Sequence, residues 1–112
     1  MNIPYILRRV AELIETRPDG FTISSDMTEE PVTGYAVAVT QYCFDLEGLG
    51  WVLKTIGINP AYHLGGWLDK ETGKFYFDAV RVVETLAEAK KIAEETCQLA
   101  IFDLENAIEI RL

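Results

Sequence analysis

The sequence is short of the residues most often used for chemistry. It has one histidine, His63, and two cysteines, Cys43 and Cys97. Two cysteines at that separation with a lone histidine fit no zinc motif. A chain with its own core needs no disulfide, so both cysteines are expected to be reduced and in or near the core. No apolar run approaches the roughly 20 residues that cross a bilayer; the longest, Tyr35 to Val39, has the size of a strand. Arg8 and Arg9 are not followed by the apolar segment of a signal peptide, which sets the expectation of a cytoplasmic protein. Positive charge is scarce as well: 10 Lys and Arg stand against 18 Asp and Glu, a formal net charge of −8. That balance argues against a general binder of nucleic-acid backbone and against anionic membranes. It leaves room for a basic protein partner, or for simple solubility. The phosphate-cradling loop, the dinucleotide fingerprint, the nucleophile elbow and the paired-histidine zinc motif are all missing, so no cofactor and no metal is expected.

What is present describes one domain. At 112 residues, with 49% hydrophobic and 25% charged residues, residues 1–112 can bury a single core and have no length for a second. Ile3, Ile6, Leu7, Val10, Leu13 and Ile14 recur at helical spacing, which predicts a helix over 3–16 with Pro4 in its first turn. Arg17-Pro18-Asp19-Gly20 ends it. Phe21 to Ser24 alternates as a short strand. Residues 25–33 carry Asp26, Glu29, Glu30 and Pro31 and read as an exposed, acidic, mobile loop. Tyr35 to Thr40 is a second strand, extensible to Phe44. Asp45 is the expected N-cap of a helix holding Leu46, Leu49, Val52, Leu53 and Ile56, which Gly48 and Gly50 weaken by about 1 kcal/mol each.

A hairpin follows over 62–83, with Gly73 in its connection. Thr85 and Glu88 form a capping box that opens a helix burying Leu86, Ala89, Ile92, Ala93 and Cys97. Leu99 to Leu104 reads as a central strand. Ala107 to Leu112 alternates strictly, with Ile108, Ile110 and Leu112 expected to point inward. The fold class is therefore α+β, an antiparallel or mixed sheet with three helices in the order α-β-β-α-β-β-α-β-β. From Gly34 to Leu104 the elements run β-α-β-β-α-β, the order of a ferredoxin-like, split-βαβ core.

The densest unusual segment is the hairpin, and its residues His63, Trp67, Asp69, Tyr76 and Asp78 are the candidate binding groups. His63 is the one side chain whose ordinary pKa allows proton exchange near neutrality, and Asp69, Glu71 and Asp78 are candidate carboxylate partners for it. No Ser or Cys can be placed beside it as a nucleophile. Gly65-Gly66 interrupts the strand, as glycines do at a bulge or wherever another group approaches the backbone, whether a ligand or a packed side chain. Trp67 is either a core residue or an interface anchor. Asp78 breaks an apolar strand, either as a binding group or as a solvated bend.

The run His63 to Asp69, then Glu71-Thr72-Gly73-Lys74 with Tyr76 and Asp78, then Val82-Val83, an alanine-bearing helix, and Gln98 to Leu104, resembles a loose group of small bacterial and phage-borne proteins. Gly20-Phe21-Thr22 and Gly34-Tyr35-Ala36-Val37 are similar to theirs too. The resemblance implies an accessory or mobile-element setting and carries no activity and no functional residue with it.

Three readings of function follow. The first is a non-enzymatic binding or protein-interaction domain, which requires a surface patch around Trp67 or Trp51. The second is a small-molecule binder or small enzyme in which His63, Tyr76 and Asp78 converge on a pocket. The third is a homodimer formed through the final strand, since an uncovered strand edge is a template for its twin.

Overall fold

The chain opens on an amphipathic helix, and the way that helix is used sets the layer arrangement. The computed structural model describes residues 2–112. In helix α1 (Ile3–Thr16), Ile6, Val10 and Leu13 are buried and Pro4 sits in the first turn. The Asn2 side chain accepts a hydrogen bond from the Tyr5 backbone N–H at 3.1 Å, satisfying a donor the helix itself leaves free. The apolar stripe is only partly used, because Ile3 and Leu7 stay exposed.

The remaining elements are β1 (Gly20–Ile23), β2 (Tyr35–Ala38), α2 (Asp45–Ile58), β3 (His63–Leu68), β4 (Phe75–Val83), α3 (Leu86–Glu95), β5 (Ala100–Asp103) and β6 (Ile108–Arg111). The strands form one sheet in the order β1-β3-β4-β2-β5-β6, with every neighbouring pair antiparallel. Its four central strands, β5-β2-β4-β3, interleave two split βαβ units, which is the ferredoxin-like arrangement the element order anticipated. β1 and β6 add an edge on each side.

Alternation along the strands sends one set of side chains to the helices. Phe21, Ile23, Leu64, Phe77 and Ala79 pack with the buried residues of α1 and α2. Val37, Val83 and Ile101 pack with Ala89, Ile92 and Ala93 of α3. The register, with Phe21 opposite Gly66, Gly66 opposite Phe77 and Leu64 opposite Ala79, puts these residues on one side of the sheet. All three helices therefore cover the same face. Among the described residues, no helix packs on the other.

Several local expectations change in context. Phe44, not Asp45, is the N-cap of α2 and makes no side-chain capping bond, while Asp45 is the first helical residue and lies at φ +57°. The chain before α2 is already engaged by the sheet: the Phe77 N–H donates to the Cys43 carbonyl at 2.8 Å and Phe44 bridges Tyr76. Asp45 and Glu47 still lie in the first turn, where the helix dipole favours negative charge.

The box at α3 forms with a twist. The Glu88 N–H donates to the Thr85 hydroxyl at 3.2 Å, and that hydroxyl, rather than the Thr85 backbone, donates to the Glu88 carboxylate at 2.9 Å. At the other end, the Gln98 N–H reaches the Ala93 carbonyl at 2.9 Å across Cys97, which takes the left-handed φ of +56° usual for glycine. This turn lifts Cys97 out of the core; it is exposed rather than buried.

The acidic segment 25–33 is likewise anchored. Met27 is only 1% exposed and belongs to the core, and the Arg9 guanidinium donates to its carbonyl. The Asp26 carboxylate accepts from the Ser24 hydroxyl and from the Thr28 hydroxyl and N–H. The terminal strand, expected to be half-buried, is an edge on which only Ile110 packs against the core.

Candidate binding face

The face that the helices leave open is where the hairpin displays its unusual residues. His63, Gly65 and Trp67 of β3 alternate onto it, opposite Val80, Asp78 and Tyr76 of β4. The Gly-Gly pair makes this possible for packing reasons. A Cβ at Gly66 would lie 2.6–2.8 Å from the rings of Phe21 and Phe75 on the helix side. A Cβ at Gly65 would lie 2.6 Å from Val80 Cγ2 on the open side. The space beside each glycine is filled by the protein's own side chains.

Trp67 and Tyr76, directly opposite one another, stack with ring centroids 4.8 Å apart and planes 13° apart. Phe44 meets Tyr76 edge-on at 5.7 Å, and the Lys74 ammonium sits 4.3 Å from the centre of the Phe44 ring. The result is an aromatic ledge. Its outer member, Trp67, is 46% exposed.

Asp78 lies behind this ledge, opposite a bulge. β2 pairs with β4 through the Val39 N–H on the Ala79 carbonyl, and pairing resumes at Cys43, both at 2.8 Å. Between these contacts, Thr40, Gln41 and Tyr42 swing out of register, with Tyr42 at φ +58°. Bulges re-aim side chains in this way beside functional surfaces. Here Thr40 is turned so that its hydroxyl donates to Asp78 Oδ1 at 3.0 Å and accepts from the Ala79 N–H at 3.1 Å. Burial raises the Asp78 carboxyl to about 6; the Thr40 hydroxyl and the Trp67 indole act in the opposite sense without cancelling it. The neighbouring Cys43 thiol is raised, first by burial and then by the charge of Asp78, which disfavours the thiolate a nucleophile would need.

The other candidates are placed differently. His63 is half-buried on the same face, and among the described residues its Nδ1 has no hydrogen-bond partner. Burial lowers its pKa; the Ala61 backbone opposes this first, and the charges of Asp26 and Glu29, rather than Asp78, after it. Asp69 lies in the hairpin connection. Its side chain accepts from the Glu71 N–H, its carbonyl accepts from the Gly73 N–H, and its own N–H donates to Lys74. The structure thus brings His63, Trp67, Tyr76 and Asp78 onto one face and leaves Asp69 shaping the turn. Phe44 and Thr40 are members of the face that sequence reasoning missed; the polar pair Thr40-Gln41 within a strand-like run was the available signal.

A second exposed surface lies elsewhere. A nearly apolar groove of about 520 Å³ runs between α1 and α2, lined by residues including Ile3, Leu7, Leu46 and Leu53. Trp51, also on α2, is 61% exposed. A smaller pocket involves Asn59, Tyr62 and Arg81. Neither includes His63, Tyr76 or Asp78. Among the described residues, no group of three or more His, Cys, Asp and Glu is arranged to hold a metal ion, and no helix is long and apolar enough to cross a membrane.

Fold and face together define a class: an antiparallel α+β domain with helices on one side of its sheet and an exposed aromatic ledge on the other. No protein-family model matches the chain, and no curated protein or solved structure is significantly similar to it.

Proposed function

We propose that this domain is a non-enzymatic binding module that engages a protein partner through the open face of its sheet, with Trp67 as the anchor. The observation that carries the proposal is the position of Trp67: 46% exposed, stacked flat on Tyr76, on a face that no helix covers among the described residues. A large aromatic side chain already fixed in one orientation loses little entropy on binding, and tryptophan is among the residues that dominate interface energies. Asp78 beside it, with Asp26 and Glu29 near His63, sets three carboxylates against the single Lys74 ammonium at the ledge. Together with the net charge of −8, this favours a partner presenting basic side chains over one presenting phosphates. A cytoplasmic setting fits the two free thiols, and an accessory role in phage or mobile-element biology rests on the resemblance of the hairpin. A small-molecule site built on His63, Tyr76 and Asp78 has less support, because His63 answers to a different pair of carboxylates and neither pocket includes the three.

The test is photo-crosslinking in the cells that make the protein. A photoreactive phenylalanine analogue replaces Trp67 in one variant and Trp51 in another. The expected result is a discrete protein adduct from position 67 that weakens when Tyr76→Ala removes the stacking surface. Adducts from position 51 alone, or from neither position, would overturn the assignment.

A further inference from the structure

The edge of the sheet formed by β6 presents a pattern that is complementary to itself. Ile108 to Leu112 contains no proline, glycine or lysine, the residues that usually blunt an edge strand. Ile108 and Leu112 remain 52% and 54% exposed. The Leu112 N–H donates to the Leu99 carbonyl at 3.0 Å. Antiparallel pairing alternates, so Ile108, Ile110 and Leu112 turn their backbone groups toward β5 while Glu109 and Arg111 turn theirs outward, away from the sheet. Glu109 lies opposite Phe102 and Arg111 opposite Ala100, which puts both charged side chains on the helix-free face. Both are largely exposed, and they now pair along the strand at 3.2 Å.

Two copies meeting antiparallel at this edge must set outward-facing residues opposite one another. Centring the axis on Glu109 would oppose two glutamates, and centring it on Arg111 would oppose two arginines; like charges directly opposite are destabilising. Centring it on Ile110 sets each Glu109 against the partner's Arg111, each such pair exchanging both backbone hydrogen bonds. The same register sets each Ile108 against the partner's Leu112 on the helix side.

We propose that the chain forms a homodimer by antiparallel β6–β6 pairing about a two-fold axis at Ile110, joining the two sheets into one. The two helix-free faces then form one continuous face of the joined sheet, and each copy keeps its own Trp67 ledge, four strands from the seam. An interface of one short strand per copy is small by the standards of stable dimers, so the association is concentration-dependent.

The experiment is the molar mass in solution, by light scattering after size exclusion, across tens to hundreds of micromolar protein at about 150 mM salt, where the Debye length is about 8 Å. Wild-type mass should climb from one chain toward two. Glu109→Arg, which sets arginine against arginine twice, should weaken association about tenfold or more. The double change Glu109→Arg with Arg111→Glu restores opposite charges in the same register and should return the dissociation constant to near the wild-type value. A wild-type protein that stays monomeric throughout, a dimer indifferent to the single change, or a double variant as weak as the single one would each overturn the proposal.

Discussion

Replacing Gly48 with alanine is expected to destabilise the protein by about 3 kcal/mol or more, whereas the same change two residues later, at Gly50, stabilises it. Both glycines lie inside α2, and helix propensity alone predicts that alanine improves each site by about 1 kcal/mol. Their surroundings differ. A Cβ at Gly48 would press on the backbone of Cys43, including the Cα at 2.8 Å, and that backbone cannot yield because its carbonyl accepts the Phe77 N–H. At Gly50 a Cβ meets nothing within 4 Å. Gly50→Ala should therefore deliver its propensity gain of about 0.5–1 kcal/mol. The check is thermal unfolding. For a domain near this size each kcal/mol moves the midpoint by roughly 4 °C or more. Gly48→Ala should fall by more than ten degrees or fail to fold, and Gly50→Ala should rise by a few. Equal midpoints for the two variants would refute this account of the junction between β2 and α2.

Asp78→Asn is expected to stabilise the protein at neutral pH, with the gain disappearing in acid. Burial raises the folded-state pKa of Asp78 from 3.8 to about 6. A carboxyl with a raised folded pKa favours the folded state fully below its unfolded value and loses that advantage as pH rises through the folded one. Ionised Asp78 therefore weakens folding above about pH 6 and has no such effect below about pH 4. A shift of that size corresponds to about 3 kcal/mol at most, and on a carboxyl that keeps some contact with solvent about 1–2 kcal/mol is expected. Asparagine retains an oxygen to accept the Thr40 hydroxyl bond, so the comparison isolates the charge. Urea unfolding at pH 4 and at pH 8 measures it: near-equality at pH 4 and a gain at pH 8. An equal gain at both values would mean that charge is not the cause. A carboxylate kept at a stability cost beside an exposed tryptophan is what a surface selected for binding, rather than for rigidity, would carry.

Much of this protein was legible in its sequence, because the signals are local. Ile6, Val10 and Leu13 fix a helix by spacing alone. The alternation from His63 to Leu68 puts His63 with Trp67, and that from Phe75 to Val83 puts Tyr76 with Asp78, since a strand has a side-chain period of two whatever lies around it; the register between the two strands then sets both pairs on one face. The Thr85–Glu88 pair and Gly73 act within a few residues of themselves. For the same reason the element order, and with it the α+β class, could be read directly.

What lay beyond the sequence involves partners distant along the chain. Periodicity says that Ile108, Ile110 and Leu112 share a side, but only the strand order makes β6 an edge and leaves two of them exposed. The left-handed turn at Cys97 depends on where α3 must deliver the chain to β5, so a residue with core character ends on the surface. Gly48 and Gly50 look alike until the backbone of Cys43 is laid against one of them. Met27 and Val32 are both apolar residues of an acidic loop, and nothing local says that the core will close over Met27 and leave Val32 exposed. The sequence determined the elements and the faces they carry, because backbone geometry repeats over a few residues. The tertiary structure decided which face the three helices cover, and so left Trp67 and Tyr76 uncovered, because helix placement follows from the crossovers between strands far apart in sequence.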